Sequence, residues 1–220
     1  MDPQQEMLAQ IEAEACATAR RTGRTTFSPR VMAALRAVRR DRFVPPGEAA
    51  YAYADAPLPI AHGQTISQPF IVALMTDLLE LKPGAHVLEV GTGSGYQAAV
   101  LAELTPHVCS IEVIPALADE AARTLADNGY ADRVALRTGD GALGWPERAP
   151  FDGIIVTAAA PDVPPALIGQ LRPGGRLVIP VGPPWGSQSL RVLHKHADGT
   201  VSSRTVLGVM FVPLTGGINA

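Results

Sequence analysis

The stretch LEVGTGSGY, residues 88–96, decides the fold of this 220-residue chain. The apolar run HVLEVG, residues 86–91, leads into it, and the helix-like run YQAAVLAEL, residues 96–104, follows from it. Glycines between a strand and a helix let a ligand approach the backbone, and the start of the helix offers free N–H groups. The stretch is therefore a candidate ligand-binding loop at the carboxyl end of a buried strand.

The spacing of the glycines narrows the choice of ligand. They stand at 91, 93 and 95 and are followed by Tyr96, so the G-x-G-x-x-G pattern of a nicotinamide site is not met. The loop also lacks the Gly-Lys-Ser/Thr ending of a P-loop. A different nucleotide-type ligand is expected.

Strand-like and helix-like runs alternate around this loop. Beyond the strand at 86–91, strands are predicted at 107–113, 133–138, 151–158 and 175–182, and helices at 96–104 and 115–129. Such alternation predicts a doubly wound α/β fold with a mostly parallel sheet and helices on both faces. The last part, residues 189–214, is typical of antiparallel strands around an Asp198-Gly199 turn.

The residues before the loop predict a helical extension. One helix is expected over 3–22, and a second starts at Ser28 and Pro29 and stops at VPP, residues 44–46. The basic run RAVRRDRF, residues 36–43, is interpreted as a solvated helix face. We expect residues 1–80 to form N-terminal helices and an active-site segment packed on the core. Residues 81–220 would form the ligand-binding α/β core with the C-terminal strands, within one structural domain overall.

Composition excludes several classes of protein. The net charge of −3 argues against a broad nucleic-acid-binding face. No apolar run of about eighteen residues suggests a membrane span, and the N-terminus lacks the pattern of a signal peptide. Cys16 and Cys109 alone cannot form a disulfide framework or a metal quartet, and His194 and His196 lack a third metal ligand. We expect a cytoplasmic monomer that binds no metal, no nucleic acid and no membrane.

Two further strand ends carry groups that suit an adenosine ligand. Glu112 ends the second strand about twenty residues past Gly91, where a carboxylate can accept hydrogen bonds from a ribose diol. Asp140 and Gly141 end the third strand, where a carboxylate and a tight turn could meet an adenine edge. Singly, each could be an ordinary turn residue; together with the glycine loop they favour a site.

The glycine loop resembles motif I of class I S-adenosylmethionine-dependent methyltransferases, E-x-G-x-G-x-G, with Glu89 as its acid. From about residue 31 to residue 215 the chain resembles the protein-L-isoaspartate O-methyltransferase family. Motif I is shared by many methyltransferases. GQTISQP, residues 63–69, and FVPLT, residues 211–215, are the specific parts of the resemblance.

This resemblance implies an enzyme that uses S-adenosyl-L-methionine to methylate the free α-carboxylate of L-isoaspartyl residues in damaged proteins and peptides. Ser67 matches the active-site serine of the family, although it is also a candidate cap for the helix that Pro69 begins. Asp55 and Thr215 fall at substrate-side positions, with a loop cap and a plain strand end as their respective alternatives. The expected cofactor-binding residues are Thr65, Gln68, Glu89, Gly91, Thr92, Gly93, Ser94, Gly95, Glu112, Asp140 and Gly141.

The chemistry of this reaction fits the residues at hand. A free α-carboxyl group has a reference pKa of roughly 3.3–3.7, so it is ionised at neutral pH and needs no general base. The enzyme must still align the carboxylate with the methyl group and exclude water, and binding both reactants side by side achieves this. The Ser67 hydroxyl would then orient the carboxylate rather than attack it.

Other functions remain open at this point. The same domain could methylate a dedicated modified peptide, a small molecule or RNA, or could bind the cofactor without catalysis. TISQP and the acidic balance speak against RNA and small molecules, and the intact glycine loop with Ser67 speaks against a scaffold. Ala61, where the family usually has Gly, and Phe70, where it often has an aromatic hydroxyl, put substrate-side details in question.

Overall fold

The computed structural model describes residues 2–184 and 186–216. Its strands are β1 (Leu58–Pro59), β2 (Thr65–Ile66), β3 (His86–Val90), β4 (His107–Glu112), β5 (Val134–Thr138), β6 (Phe151–Val156), β7 (Leu171–Val181), β8 (Gln188–Lys195) and β9 (Val201–Val209). Its helices are α1 (Pro3–Thr22), α2 (Pro29–Ala37), α3 (Pro69–Leu78), α4 (Tyr96–Leu104), α5 (Pro115–Asp127) and α6 (Pro165–Gln170).

One seven-stranded sheet carries the fold, in the order β5-β4-β3-β6-β7-β8-β9. The strands from β3 to β7 run parallel, and β8 and β9 close the sheet antiparallel to their neighbours. The predicted doubly wound α/β fold with an antiparallel finish is confirmed. The chain moves outward from β3 to β5 and then returns to the other side of β3 with β6. Ligands settle at the carboxyl ends of strands at such a reversal.

Each face of the sheet packs into its own apolar core, because successive side chains of a strand point to opposite faces. Val87 and Val108 pack with α1 to α5 on one face. Leu88 and Ile154 pack with α6 on the other face. The first core also includes Met7, so residues from 1–80 and from 81–220 share it; the boundary near residue 80 stays a prediction.

Both N-terminal helices begin where the sequence predicts, and α1 also ends at the predicted Thr22, but α2 ends earlier than predicted. The Ser28 hydroxyl caps α2 by accepting a hydrogen bond from the Val31 amide at 3.3 Å. The helix ends at Ala37, well before VPP, and a 3-10 turn over Arg40–Arg42 follows. The interpretation of RAVRRDRF as a solvated helix face is wrong for Arg40, which is fully buried.

A short hairpin made of β1 and β2 passes over the glycine loop. His62 and Gly63 reverse the chain with left-handed φ angles of 59° and 69°. Ile60 reaches to within 3.7 Å of the position that a Cβ on Gly93 would take. This hairpin brings Thr65 and Ser67 to the carboxyl edge of the sheet. Within the described residues, no helix combines the length and the apolar character needed to span a membrane.

Candidate active site

A cleft opens at the carboxyl ends of β3, β4 and β6. Ten of the sequence-predicted site residues line it: Thr65, Ser67, Glu89, Gly91, Thr92, Gly93, Ser94, Glu112, Gly141 and Thr215. Four others, Asp55, Gln68, Gly95 and Asp140, lie outside its lining.

The glycine loop holds a conformation that only glycine adopts without strain. Gly91 has a φ of 97°, and a Cβ on it would lie 2.5 Å from the Thr157 Oγ1 atom. The Thr157 hydroxyl donates to the Gly91 carbonyl at 2.6 Å, so β6 fixes the loop from the side. Gly95, with a φ of 86°, is the N-cap of α4 and faces Leu125. It shapes the loop and the helix start.

Glu112 ties the loop to the end of β4. Its Oε2 atom accepts from the Gly93 amide at 2.9 Å, and Oε1 accepts from the amides of Val113 at 3.0 Å and Ile114 at 3.1 Å. A carboxylate offers about four acceptor positions. Three are used by the backbone, and the side chain still lines the cleft, so one position is left for a ligand hydroxyl.

Glu89 is a fully buried carboxyl group on the wall of the cleft. The Ser110 hydroxyl hydrogen-bonds its Oε2 atom, and the Thr92 hydroxyl lies 2.6 Å from that of Ser110. The Oε1 atom has no hydrogen-bond partner among the described residues. Burial raises the pKa of Glu89 to about 8, with the charge of Glu112 adding to the effect. A ligand cation placed here would favour the ionised form.

After β5, the neighbouring residues Asp140 and Gly141 have different structural roles. The Asp140 Oδ1 atom accepts from the Ala142 amide at 2.9 Å and caps a short 3-10 turn. Gly141 is buried and lines the cleft, where a Cβ would collide with Val90. Asp140 therefore holds the turn and Gly141 lines the cleft, and the adenine contact of either residue stays a prediction.

Ser67 does not cap the helix that follows it. The N-cap of α3 is Gln68, whose own side chain makes no cap bond. The cap of α3 is instead the carboxylate of Asp55, which lies in the loop before β1. It accepts from the Phe70 amide at 2.8 Å and from the Gln68 side chain at 3.0 Å. The helix-cap interpretation of Ser67 is wrong. Asp55 has a capping role, and its place on the substrate side stays a prediction.

A broader groove joins the cleft at Thr65 and Ser67. Gln68, predicted on the cofactor side, lies in this groove and donates to Glu14 of α1 at 3.3 Å. Burial, followed by the neighbouring Asp55, raises the pKa of Glu14 to about 7. The end of β9 and the exposed Met210 form the opposite wall.

Some lining residues escaped the sequence prediction. Thr157 follows β6, so the logic of strand ends that pointed to Glu112 could have found it. The apolar Ile114 and Leu117 gave no comparable signal, because apolar residues of α5 and its approach are expected in a core. The lining residues that were missed also include Gln64, Ile66, Val72, Tyr96, Gln97, Ala158 and Pro213.

The fold, the motif I loop and the cleft define a class I S-adenosylmethionine-dependent methyltransferase. Residues 12–219 match the family model described as protein-L-isoaspartate(D-aspartate) O-methyltransferase. The chain belongs to this family.

Relatives agree over nearly the whole chain. Protein-L-isoaspartate O-methyltransferase 2 of Syntrophobacter fumaroxidans is 56% identical over 96% of this chain and 85% of its own length. The protein of the same name from a Polaromonas species is 54% identical over 96% of this chain and 99% of its own length. A solved structure of a protein-L-isoaspartate O-methyltransferase superposes with a TM-score of 0.82 at 26% identity, over 97% of this chain and 66% of that one.

Family membership makes the chain an enzyme that methylates isoaspartyl residues with S-adenosyl-L-methionine. The residues present fit this cofactor. The buried Glu89 Oε1 atom, which has no donor in the described part of the chain, suits the ammonium group of the methionine part. The acceptor position left on Glu112 suits a ribose hydroxyl.

Proposed function

We propose that Ser67 orients the α-carboxylate of an isoaspartyl residue for methyl transfer, in a broad range of aged proteins rather than in one dedicated peptide. The observation that carries this proposal is that Ser67 lines both the cofactor cleft and the adjoining groove. A peptide in the groove can thus present its carboxylate at the one junction where both ligands meet. The Ser67 hydroxyl is not used as a helix cap, so it can donate to a carboxylate oxygen.

The reaction does not require the protein to add or remove a proton. The α-carboxylate is ionised at neutral pH and attacks without a general base. The bound cofactor supplies a methyl group on a sulfonium, which is already an activated leaving group. The chain contributes alignment and the exclusion of water, and its hairpin of β1 and β2 covers the glycine loop. Ser67 is an orienting donor and forms no covalent intermediate.

Each wall of the cleft has its own role in this proposal. Glu89 and Glu112 receive the polar groups of the cofactor, and Gly141 leaves room for the adenine edge. Thr65 lines both the cleft and the groove, and Thr215 lines the cleft. Asp55 and Gln68 support the segment that carries Ser67. The backbone of the loop approaches the cofactor through Gly91, Thr92, Gly93 and Ser94, and Gly95 shapes the end of the loop.

The product explains the repair. A methyl ester can lose methanol, whereas a carboxylate has no comparable leaving group, so the neighbouring backbone nitrogen attacks the ester carbonyl, expels methanol and closes a succinimide ring without further help from the enzyme. Hydrolysis of the ring returns part of the material to normal aspartate. Repeated cycles convert the remaining isoaspartate.

The test compares an isoaspartyl peptide with its normal aspartyl twin in a methyl-transfer assay. The expected result is transfer to the isoaspartyl peptide and little to the twin. Several unrelated isoaspartyl sequences should be accepted at comparable rates. Equal transfer to both twins, or transfer to a single sequence context only, would rule the proposal out.

We also propose that the enzyme works as a monomer in the cytoplasm. The predicted cofactor residues converge on a cleft at the strand ends of a single chain, which supports a site that one copy can build. Cys16 is exposed and unpaired, as suits a reducing compartment. Sedimentation at several concentrations checks the first point, and a dimer whose dilution abolishes activity would contradict it.

A further inference from the structure

Arg40 is an arginine side chain buried without a carboxylate partner. Its exposed fraction is 0%, although it lies in the basic run near the surface helix α2. The guanidinium donates only to backbone carbonyls: Nη1 to Ala52 and, at 3.5 Å, to Ala54, and Nη2 to Ala56 at 3.0 Å and Ser67 at 3.1 Å. Among the described residues, no ion pair includes it.

Such a charge is costly to bury. Removing an ion from water without a paired opposite charge carries a large penalty, which neutral hydrogen bonds offset only in part. Burial lowers the pKa of Arg40, while the electrostatic influence of Tyr96 and Asp55 opposes that shift. A neutral amide side chain could also donate hydrogen bonds to these backbone carbonyls. The positive charge of Arg40 therefore needs a separate explanation.

The position of Arg40 supplies that reason. It holds the Ser67 carbonyl, and Asp55 holds the Phe70 amide three residues on, so a cation and an anion fix the two ends of one short segment. The guanidinium also lies 5.9 Å from the ring centre of Tyr96, the first residue of α4 after the glycine loop. Arg40 therefore sits between the Ser67 segment and the cofactor loop.

The charges of the cleft also indicate that a cation near Ser67 would help a carboxylate to bind. Its described lining contains the carboxyl groups of Glu89 and Glu112 and no lysine or arginine. The charged side chains of this lining are thus all acidic, so a cation that favours an anionic substrate must lie behind the wall. Arg40 is such a cation, directly behind Ser67.

We propose that Arg40 is a positioning residue for methyl transfer, which fixes the Ser67 segment and makes this end of the cleft favourable for a carboxylate. The inference rests on the proposed role of Ser67. It predicts two separable effects. The fork of hydrogen bonds should govern the turnover rate, and the charge should govern the preference for an anionic peptide.

The experiment uses Arg40→Lys, Arg40→Met and, as a control, the exposed Arg36→Met of α2. For each full-length protein, kcat and KM for an isoaspartyl peptide are measured. Calorimetric titration gives the affinity for S-adenosylhomocysteine, for the isoaspartyl peptide and for the methyl ester of that peptide. Thermal unfolding reports whether the variants fold.

The expected results differ between the variants. Arg40→Met should weaken binding of the free-carboxylate peptide about tenfold or more relative to its neutral ester. Arg40→Lys should keep that preference and lose about five- to fiftyfold in kcat, because an ammonium cannot reproduce the planar fork. Affinity for S-adenosylhomocysteine should stay within about twofold throughout, and Arg36→Met should behave as wild type.

Two outcomes would overturn the inference. One is a folded Arg40→Met protein whose preference for the free carboxylate and whose kcat are unchanged. The other is an Arg40→Lys protein with wild-type kcat, which decides the matter if Arg40→Met does not fold. A wild-type protein that treats isoaspartyl and aspartyl twins alike would instead sink the proposed function, whatever the Arg40 variants do.

Discussion

The two halves of the active site are built in different ways. On the cofactor side, the alternate glycines 91, 93 and 95 of one loop adopt positive φ angles, and the loop is fixed by Thr157 and Glu112 within the central sheet. On the substrate side, the Ser67 segment is held by Arg40 and Asp55, which come from loops far away in the sequence. Cofactor affinity should therefore depend on backbone shape, and turnover on remote polar side chains.

The largest effect is expected from Gly91→Ala. The φ of 97° strains any residue with a side chain, and the new methyl group would lie 2.5 Å from the Thr157 hydroxyl. Affinity for S-adenosylhomocysteine should fall by more than about a hundredfold, because the loop must move to relieve this contact. Calorimetric titration measures it. Gly47→Ala, with open space around it, is the matched control. Similar affinities for both variants would contradict the account of the loop.

The next effect concerns Glu112→Ala. Loss of the carboxylate removes an acceptor for the cofactor and leaves the Gly93 amide without its partner. A cost of about 1–3 kcal/mol corresponds to a five- to 150-fold weaker binding of S-adenosylhomocysteine. The exposed Glu12→Ala serves as control. If the dissociation constant does not change, Glu112 is not part of the cofactor site.

The smallest effect is expected in the pH dependence of thermal stability when Glu14, which lines the substrate-side groove, is replaced by Gln. Its folded-state pKa of about 7 exceeds the unfolded value of 4.5, since burial and Asp55 disfavour its charge. Glu14 therefore contributes stability that is complete below about pH 4.5 and is lost as the pH rises through about 7. Glu14→Gln avoids this loss. Because the group is partly exposed, we expect the variant to gain only about 1–3 °C in Tm relative to wild type between pH 5 and pH 8.

Thermal scans across this pH range measure the difference in Tm. Glu12→Gln, on the exposed side of the same helix, should show no such trend. A Glu14→Gln protein that loses Tm relative to wild type as the pH rises would show that Glu14 is ionised and stabilising in the folded state.

The sheet and the cofactor side could be predicted because their signals are local. Buried strands read as short apolar runs, and parallel topology brings the strand ends at Gly91, Glu112 and Gly141 to one edge. Thr157 obeys the same rule and could have been included. The end of α2 could not be predicted in the same way, because the helix stops at Ala37 although no proline or glycine follows it directly.

The supports of the substrate side could not be predicted, since they depend on contacts between distant segments. A basic run normally indicates a solvated surface, and nothing near Arg40 in the sequence announces that the carbonyls of residues 52–56 and 67 converge on it. Likewise, Ser67 followed by Gln68 and Pro69 has the pattern of a helix cap. The carboxylate of Asp55 takes that place from across the loop.

The central claim is that Ser67 orients the attacking carboxylate and plays no part in holding the cofactor. Single-turnover kinetics of Ser67→Ala at saturating S-adenosylmethionine test it most directly. Loss of one hydrogen bond to a charged group costs about 1.5–3 kcal/mol, so the rate of methyl transfer should drop about ten- to a hundredfold. Affinity for S-adenosylhomocysteine should stay within about twofold. A normal rate in Ser67→Ala, or a trapped ester between Ser67 and the peptide in the wild-type enzyme, would contradict the account.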